Sequence, residues 1–123
     1  MSGFKVIALL KRRADITRDA FIRYYENYHA PLILSQFPSI TAYRRNFADF
    51  TAAFESDAAP FDFDVVTEIE FGDRAGYDAM LARHADPAVA AMIAADEDQF
   101  LDRAFTRMFV VETRANDLEE NSL

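Results

Sequence analysis

Apolar and polar residues alternate from Phe61 to Phe71. Phe61, Phe63, Val65, Thr67, Ile69 and Phe71 share one side, and Asp62, Asp64, Val66, Glu68 and Glu70 share the other. A repeat of two belongs to a strand, and no helix produces it. Ile40 to Phe47 repeats the pattern, with Thr41, Tyr43, Arg45 and Phe47 opposite Ala42, Arg44 and Asn46. Phe4 to Lys11 is a short apolar run closed by basic residues, as expected of a central strand buried on both faces. Phe105 to Thr113 reads as a last strand, with Phe109 and Val111 on one side and Met108 and Val110 on the other.

Between the first two strands the period lengthens. At about 100° per residue, Phe21, Tyr24, Tyr25, Tyr28 and Leu32 form an apolar arc that widens to Ile22 and Ile33, with Arg23, Glu26 and Asn27 opposite. Thr17 is the expected N-cap, Asp19 lies in the first turn and Ile16 can staple onto Phe21, which predicts a helix from about Arg18 to Ala30. Pro31 removes the amide that would bond back to the Asn27 carbonyl, so the helix is expected to break or re-form near His29 and Ala30. Asp73 caps a second helix carrying Tyr77, Met80 and Leu81. The turn from His84 to Pro87 separates it from a segment with Val89, Met92, Ile93 and Phe100 on its inward side. The connection from Ala48 to Pro60 is longer than a hairpin needs and carries Phe50 and Phe54. It is either anchored by its aromatics or able to cover something.

The order strand, helix, strand, strand, helix, strand is the ferredoxin-like βαββαβ unit, an α+β fold with a four-stranded antiparallel sheet and helices on one face. Residues 1–114 are read as one domain and 115–123 as an acidic tail that lacks periodicity and is expected to fray. With the helices on the Phe61/Phe63/Val65 side, the other face would hold Val66, Met108 and Val110 among Asp64, Glu68, Arg44 and Glu112. Either a second copy covers that face, with Arg44 and the strand carboxylates as candidate pairs, or its charges face water.

Composition narrows the partners. A chain of 123 residues with 51% apolar residues, twelve Phe and five Tyr is a globular domain with a generous core or an aromatic pocket. A net charge of -8 argues against nucleic acid and anionic lipid, and Lys11-Arg12-Arg13 is too short to reverse that. The apolar run Val6 to Leu10 is far below a membrane span and no cleavage site follows, so no membrane contact and a cytoplasmic location are expected. Cysteine is absent, which rules out a disulfide or a thiolate nucleophile. With three glycines and no Gly-rich phosphate loop, no nucleotide cofactor is expected. His29 and His84 lie on different elements without ligand-like spacing, so no metal is expected either.

His29 falls inside the apolar arc, where an imidazole must find a partner and where its protonation can change near neutral pH. Three roles remain open for it. It could exchange a proton with a phenolic or enolisable ligand beside the polar tips of Tyr25 or Tyr28, it could orient a ligand without chemistry, or it could tie a broken helix end to a strand. Tyr43, Phe63 and Phe100 are candidate pocket walls, and Tyr43 could equally be core. His84 reads as a solvated loop histidine, and Asp96-Glu97-Asp98 as either a source of a base or a solvated charge run.

Three stretches carry a family resemblance: VIALLKRRADITRDAFIRYYENYHAPLI with its His29, Pro31 and Leu32; YRRN at Tyr43 to Asn46; and ADEDQFLD at Ala95 to Asp102. Together they resemble the EthD-domain family of dimeric α+β barrels, from Phe4 to Thr113. The resemblance implies a homodimer through sheet faces and a pocket for a small apolar or aromatic ligand between helices and sheet. It also draws attention to Asp98, through the acidic-Phe-acidic pattern. Family members are associated with ether degradation, and relatives act on polyketides and aromatic compounds. The expectation is thus a cofactor-independent small-molecule enzyme of oxidoreductase or cyclase/decarboxylase type with His29 as proton donor and acceptor. The alternative is a non-catalytic module that binds or delivers a hydrophobic metabolite to a partner enzyme.

Overall fold

The computed structural model describes residues 3–57 and 59–118, so residues 119–123 of the expected tail lie outside the described residues. The chain runs β1 (Phe4–Leu10), α1 (Arg18–Tyr24), a π turn (Tyr25–His29), α2 (Ala30–Gln36), β2 (Ile40–Phe47), β3 (Val65–Phe71), α3 (Arg74–His84), α4 (Pro87–Glu97), a short 3-10 turn (Arg103–Phe105) and β4 (Arg107–Val111). The strands form one antiparallel sheet in the order β2-β3-β1-β4. This is the ferredoxin-like α+β fold.

Register decides what faces the helices. Val6, Ala8 and Leu10 of β1 stand opposite Ile69, Thr67 and Val65 of β3, and this row is buried. Around it lie two apolar clusters. One gathers Val6, Ile69 and Phe71 with Ile33, Phe37, Met80, Val89 and Ile93, and the other gathers Ala8, Leu10 and Val65 with Phe21, Tyr25, Phe100 and Leu101. Pairing with β1 also places Val110 opposite Val6 and Met108 opposite Ala8. Met108 and Val110 therefore face the helices and not the open side as expected. Four consecutive apolar residues, Met108 to Val111, carry no alternation of their own, so only the pairing with β1 sets their phase. The outer face instead holds Ile7, Leu9, Val66, Phe109 and Val111, bordered by Lys5, Arg44, Glu68 and Glu70.

Two further expectations change. The third strand starts at Val65, not Phe61, because both of its partners stop there: Leu10 and Phe47 are the last residues of β1 and β2 and both stand opposite Val65. Phe61 and Phe63 leave the sheet and pack with Phe50 of the long connection, the Phe50 and Phe61 rings stacking at 4.2 Å. The first helix does not end at Ala30. Thr17 caps it as expected, its hydroxyl accepting from the Ala20 amide, and the chain then widens for one turn and continues to Gln36. The Ala30 amide reaches back to the Tyr25 carbonyl, five residues away, and Pro31 sits in the first turn of α2, where its missing N–H costs least. Asp73 and Asp86 cap α3 and α4 by accepting from the Gly76 and Ala88 amides. Among the described residues no helix is long and apolar enough to cross a membrane.

Candidate functional site

The wide turn ahead of Pro31 carries two buried side chains, Tyr25 and His29, and both reach a cavity of about 300 Å³ between the helices and the sheet. Ala8, Leu10, Thr67, Ile69 and Met108 form its sheet side, and Ile33, Phe37, Met80 and Ile93 form its helix side. Exposed residues Leu81, His84, Arg103 and Thr106 mark its open end. The walls are mostly apolar with few polar atoms, as in sites for small organic molecules.

His29 is only 3% exposed and its Nδ1 lies 2.6 Å from Oδ2 of Asp96. The other oxygen of Asp96 accepts from the Tyr24 hydroxyl at 2.9 Å. Phe100 and Tyr25 hold the imidazole from the sides, each with its ring centroid 5.0 Å away. A carboxylate on Nδ1 selects the tautomer that carries its proton there and leaves Nε2 as a lone pair. Among the described residues no fully buried side-chain nitrogen or oxygen lacks a partner. Among those residues Nε2 has no partner, so it is not fully buried, and His29 is one of the side chains that line the cavity. Burial, then the hydrogen bond to Asp96, pushes the Tyr24 hydroxyl up from 10.0 to about 12. Tyr24 remains a donor to Asp96 through the neutral range, and the stability gained by keeping it protonated is lost only as pH rises from 10 towards 12.

A second polar group lies on the cavity floor. The Tyr25 hydroxyl is 2.6 Å from Thr67 Oγ1 and 3.1 Å from the Tyr43 hydroxyl. Burial raises the Tyr25 phenol and raises Tyr43 well above the ordinary range, so both stay protonated. Outside them the Arg45 guanidinium lies 5.1 Å from the Tyr43 ring centroid and forks onto Glu26 at 2.6 and 2.8 Å, which holds the Glu26 carboxyl below its usual value.

Of the residues singled out in the sequence, the structure brings His29, Tyr25 and Tyr43 to the cavity. Phe100 is fully buried behind the imidazole and supports it. Three others stand elsewhere. Tyr28 is 61% exposed because the wide turn rotates it outward, and its ring stacks on Tyr24. Phe63 packs with Phe50 and Phe61, beyond the end of the sheet. Asp98 is exposed, with its carboxylate 3.7 Å from Arg103. Asp96 takes the place expected of Asp98. It stands three residues beyond Ile93, seven beyond Val89 and four before Phe100, all buried, and this stripe was the signal that could have separated it from its acidic neighbours. Thr67 and Arg103 were missed, and Glu97, weighed only as part of the acidic run, pairs with Arg103 at 3.2 Å along the cavity. His84 is exposed, as expected, yet lines the open end and packs over Phe37 at 6.4 Å. Among the described residues no group of three or more acidic or histidine side chains converges as a metal ion would require.

The fold has solved counterparts. HapK from Hahella chejuensis is 18% identical, with a TM-score of 0.59 over 96% of this chain and 99% of that one. An EthD family protein from Bacillus halodurans is 20% identical, with a TM-score of 0.60 over 91% of this chain and 99% of that one. SnoaB from Streptomyces nogalater, a cofactor-independent oxygenase, is 10% identical, with a TM-score of 0.59 over 97% of this chain and all (100%) of that one. At these identities the likeness is one of fold. No curated protein matches the chain by sequence. The family model for the EthD domain matches residues 13–104, from Arg13 through His29 and Asp96 to Ala104, and the chain belongs to the EthD domain family.

Proposed function

We propose that this protein is a cofactor-independent enzyme acting on a compact aromatic or polyketide-like molecule, with His29 as the proton acceptor and donor. One observation carries the reading: a buried imidazole held through Nδ1 by Asp96 leaves Nε2 to an apolar cavity. Nε2 takes a proton from a phenolic O–H or an activated C–H of the ligand, and the Asp96 carboxylate stabilises the imidazolium that results. The ligand is left as a phenolate or enolate, an electron-rich species whose further reaction depends on its own substituents. A cofactor-independent oxygenase among the proteins of the same fold is consistent with such chemistry. The unpartnered Nε2, rather than the tie to Asp96, favours this reading over a purely structural histidine, which would spend both nitrogens on the protein.

The test begins with mass spectrometry of molecules that copurify with the protein, followed by assays of their conversion by wild type and His29→Gln. Conversion that disappears in the variant supports catalysis. Equal binding by both, with no product from either, overturns it in favour of a module that carries a hydrophobic metabolite.

We also propose that the outer sheet face pairs with a second copy to close a dimeric α+β barrel. The face centres on Ile7, Leu9, Val66, Phe109 and Val111, and Phe109 is 44% exposed in the single chain. Its charges are paired within the chain, Arg44 to Glu70 at 2.6 Å and Lys5 to Glu68 at 3.2 Å, which lowers the cost of covering them. A mainly apolar face of this kind is normally covered. Phe109→Lys is expected to convert the dimer to a monomer in sedimentation at micromolar concentration, with helix content unchanged. A wild type that sediments as a monomer contradicts the proposal.

A further inference from the structure

Three hydroxyls on the cavity floor, those of Tyr43, Tyr25 and Thr67, are joined by two hydrogen bonds. Each hydroxyl carries one proton, so two bonds consume two protons and one O–H is left without an acceptor among the described residues. Its position follows from acidity. A phenol is the stronger acid and an alkanol oxygen the better acceptor, so the 2.6 Å contact is best made with Tyr25 donating to Thr67, and Tyr25 then accepts from Tyr43 across 3.1 Å. A chain polarised in one direction strengthens each successive donor, and here the last donor is Thr67.

Thr67 stands mid-strand on β3 between Val65 and Ile69, on the helix side, where it is 1% exposed overall while still lining the cavity. Its oxygen accepts from the buried Tyr25 hydroxyl, and in this arrangement its own proton has no acceptor among the described residues and is free to meet one in the cavity.

We infer that the Thr67 hydroxyl, polarised by Tyr25 and Tyr43, is a binding site for a carbonyl or phenolate oxygen of the ligand. The inference rests on the cavity reading above and adds a second point of recognition. His29 Nε2 meets the acidic O–H or C–H, and Thr67 meets the oxygen on which negative charge gathers when that proton leaves. The ligand class narrows accordingly, to ring compounds carrying a ketone or quinone-type oxygen as well as an acidic proton. A plain hydrocarbon or a lone ether does not satisfy both points. Tyr25 and Tyr43 remain protonated through the neutral range, so the donor chain does not switch off there.

The test uses calorimetric binding of two probes: a hydroxytetralone, which is a two-ring phenol with a ketone, and tetrahydronaphthol, the same phenol without the ketone. Thr67→Val keeps the side-chain shape and is expected to weaken the hydroxytetralone by about tenfold while leaving tetrahydronaphthol within about twofold of wild type. Thr67→Ser retains the hydroxyl and is expected to bind the hydroxytetralone nearly as wild type does. Equal affinities of wild type and Thr67→Val for the hydroxytetralone, or an equal loss for both probes, overturns the Thr67 assignment and leaves the cavity reading standing. Failure of wild type to bind either probe overturns the cavity reading and this inference with it.

Discussion

Turnover of an enolisable ring ligand is expected to fall by about a hundred- to ten-thousand-fold in His29→Gln, the range that a positioned general acid or base contributes. Glutamine has nearly the reach of histidine and can still contact Asp96, so the fold and ligand affinity are expected to survive while the proton acceptor is lost. Asp96→Asn serves as the companion. An amide can turn its NH2 group towards Nδ1, which favours the tautomer with the proton on Nε2 and removes the lone pair facing the cavity. The expected signature is a kcat loss with KM held close to wild type, since the lost interaction forms only as charge develops on the imidazole. Asp96 does this without touching the ligand and is a positioning residue. Full activity in His29→Gln would assign the imidazole to structure alone.

The largest loss of stability is expected from Phe100→Ala. Phe100 is fully buried, with its ring centroid 5.0 Å from those of Tyr24 and His29 and 5.6 Å from those of Phe21 and Tyr25, so one side chain braces both ends of the wide turn. Truncating a buried Phe to Ala costs about 3 to 5 kcal/mol, out of the roughly 5 to 15 kcal/mol by which a domain is folded. Urea unfolding is expected to show that loss as a lower midpoint with an unchanged slope. A change below about 1 kcal/mol would mean that the site closes up without Phe100, contrary to the packing described.

Strand identity was legible wherever one face is apolar and the other charged, as in Val65–Phe71, and helix starts were legible from Thr17 and Asp73. What stayed hidden depended on contacts between distant parts of the chain. The alternation at Phe61 and Phe63 is as regular as at Val65, yet those residues have no strand to pair with. Pro31 marks where the helix is disturbed but does not say whether the chain stops or widens for one turn and goes on; Tyr25 and His29 are buried as their shared face predicts, whereas Tyr28, placed on the same arc by a regular helix, is turned outward. The cavity's polar partners were harder still. Thr67 is indistinguishable from an ordinary strand residue until Tyr25 is brought beside it. Asp96 stands in a run of three acids, and only its phase with Val89, Ile93 and Phe100 marks it as inward.

The π turn links these levels. Tyr25 and His29, four residues apart, share one face of the helix, and the wide turn they bound lets the chain continue into α2 with Pro31 in its first turn. Sequence therefore acts on function through one short segment, which brings a phenol and an imidazole four residues apart to the same cavity.

The most direct test is nitrogen-15 NMR of the two imidazole nitrogens of His29, with and without tetrahydronaphthol. A proton on Nδ1, a bare Nε2, and an Nε2 resonance that moves on adding the phenol while Nδ1 holds its bond to Asp96 are the results predicted. A proton on Nε2, with neither nitrogen responding to the phenol, would contradict the account.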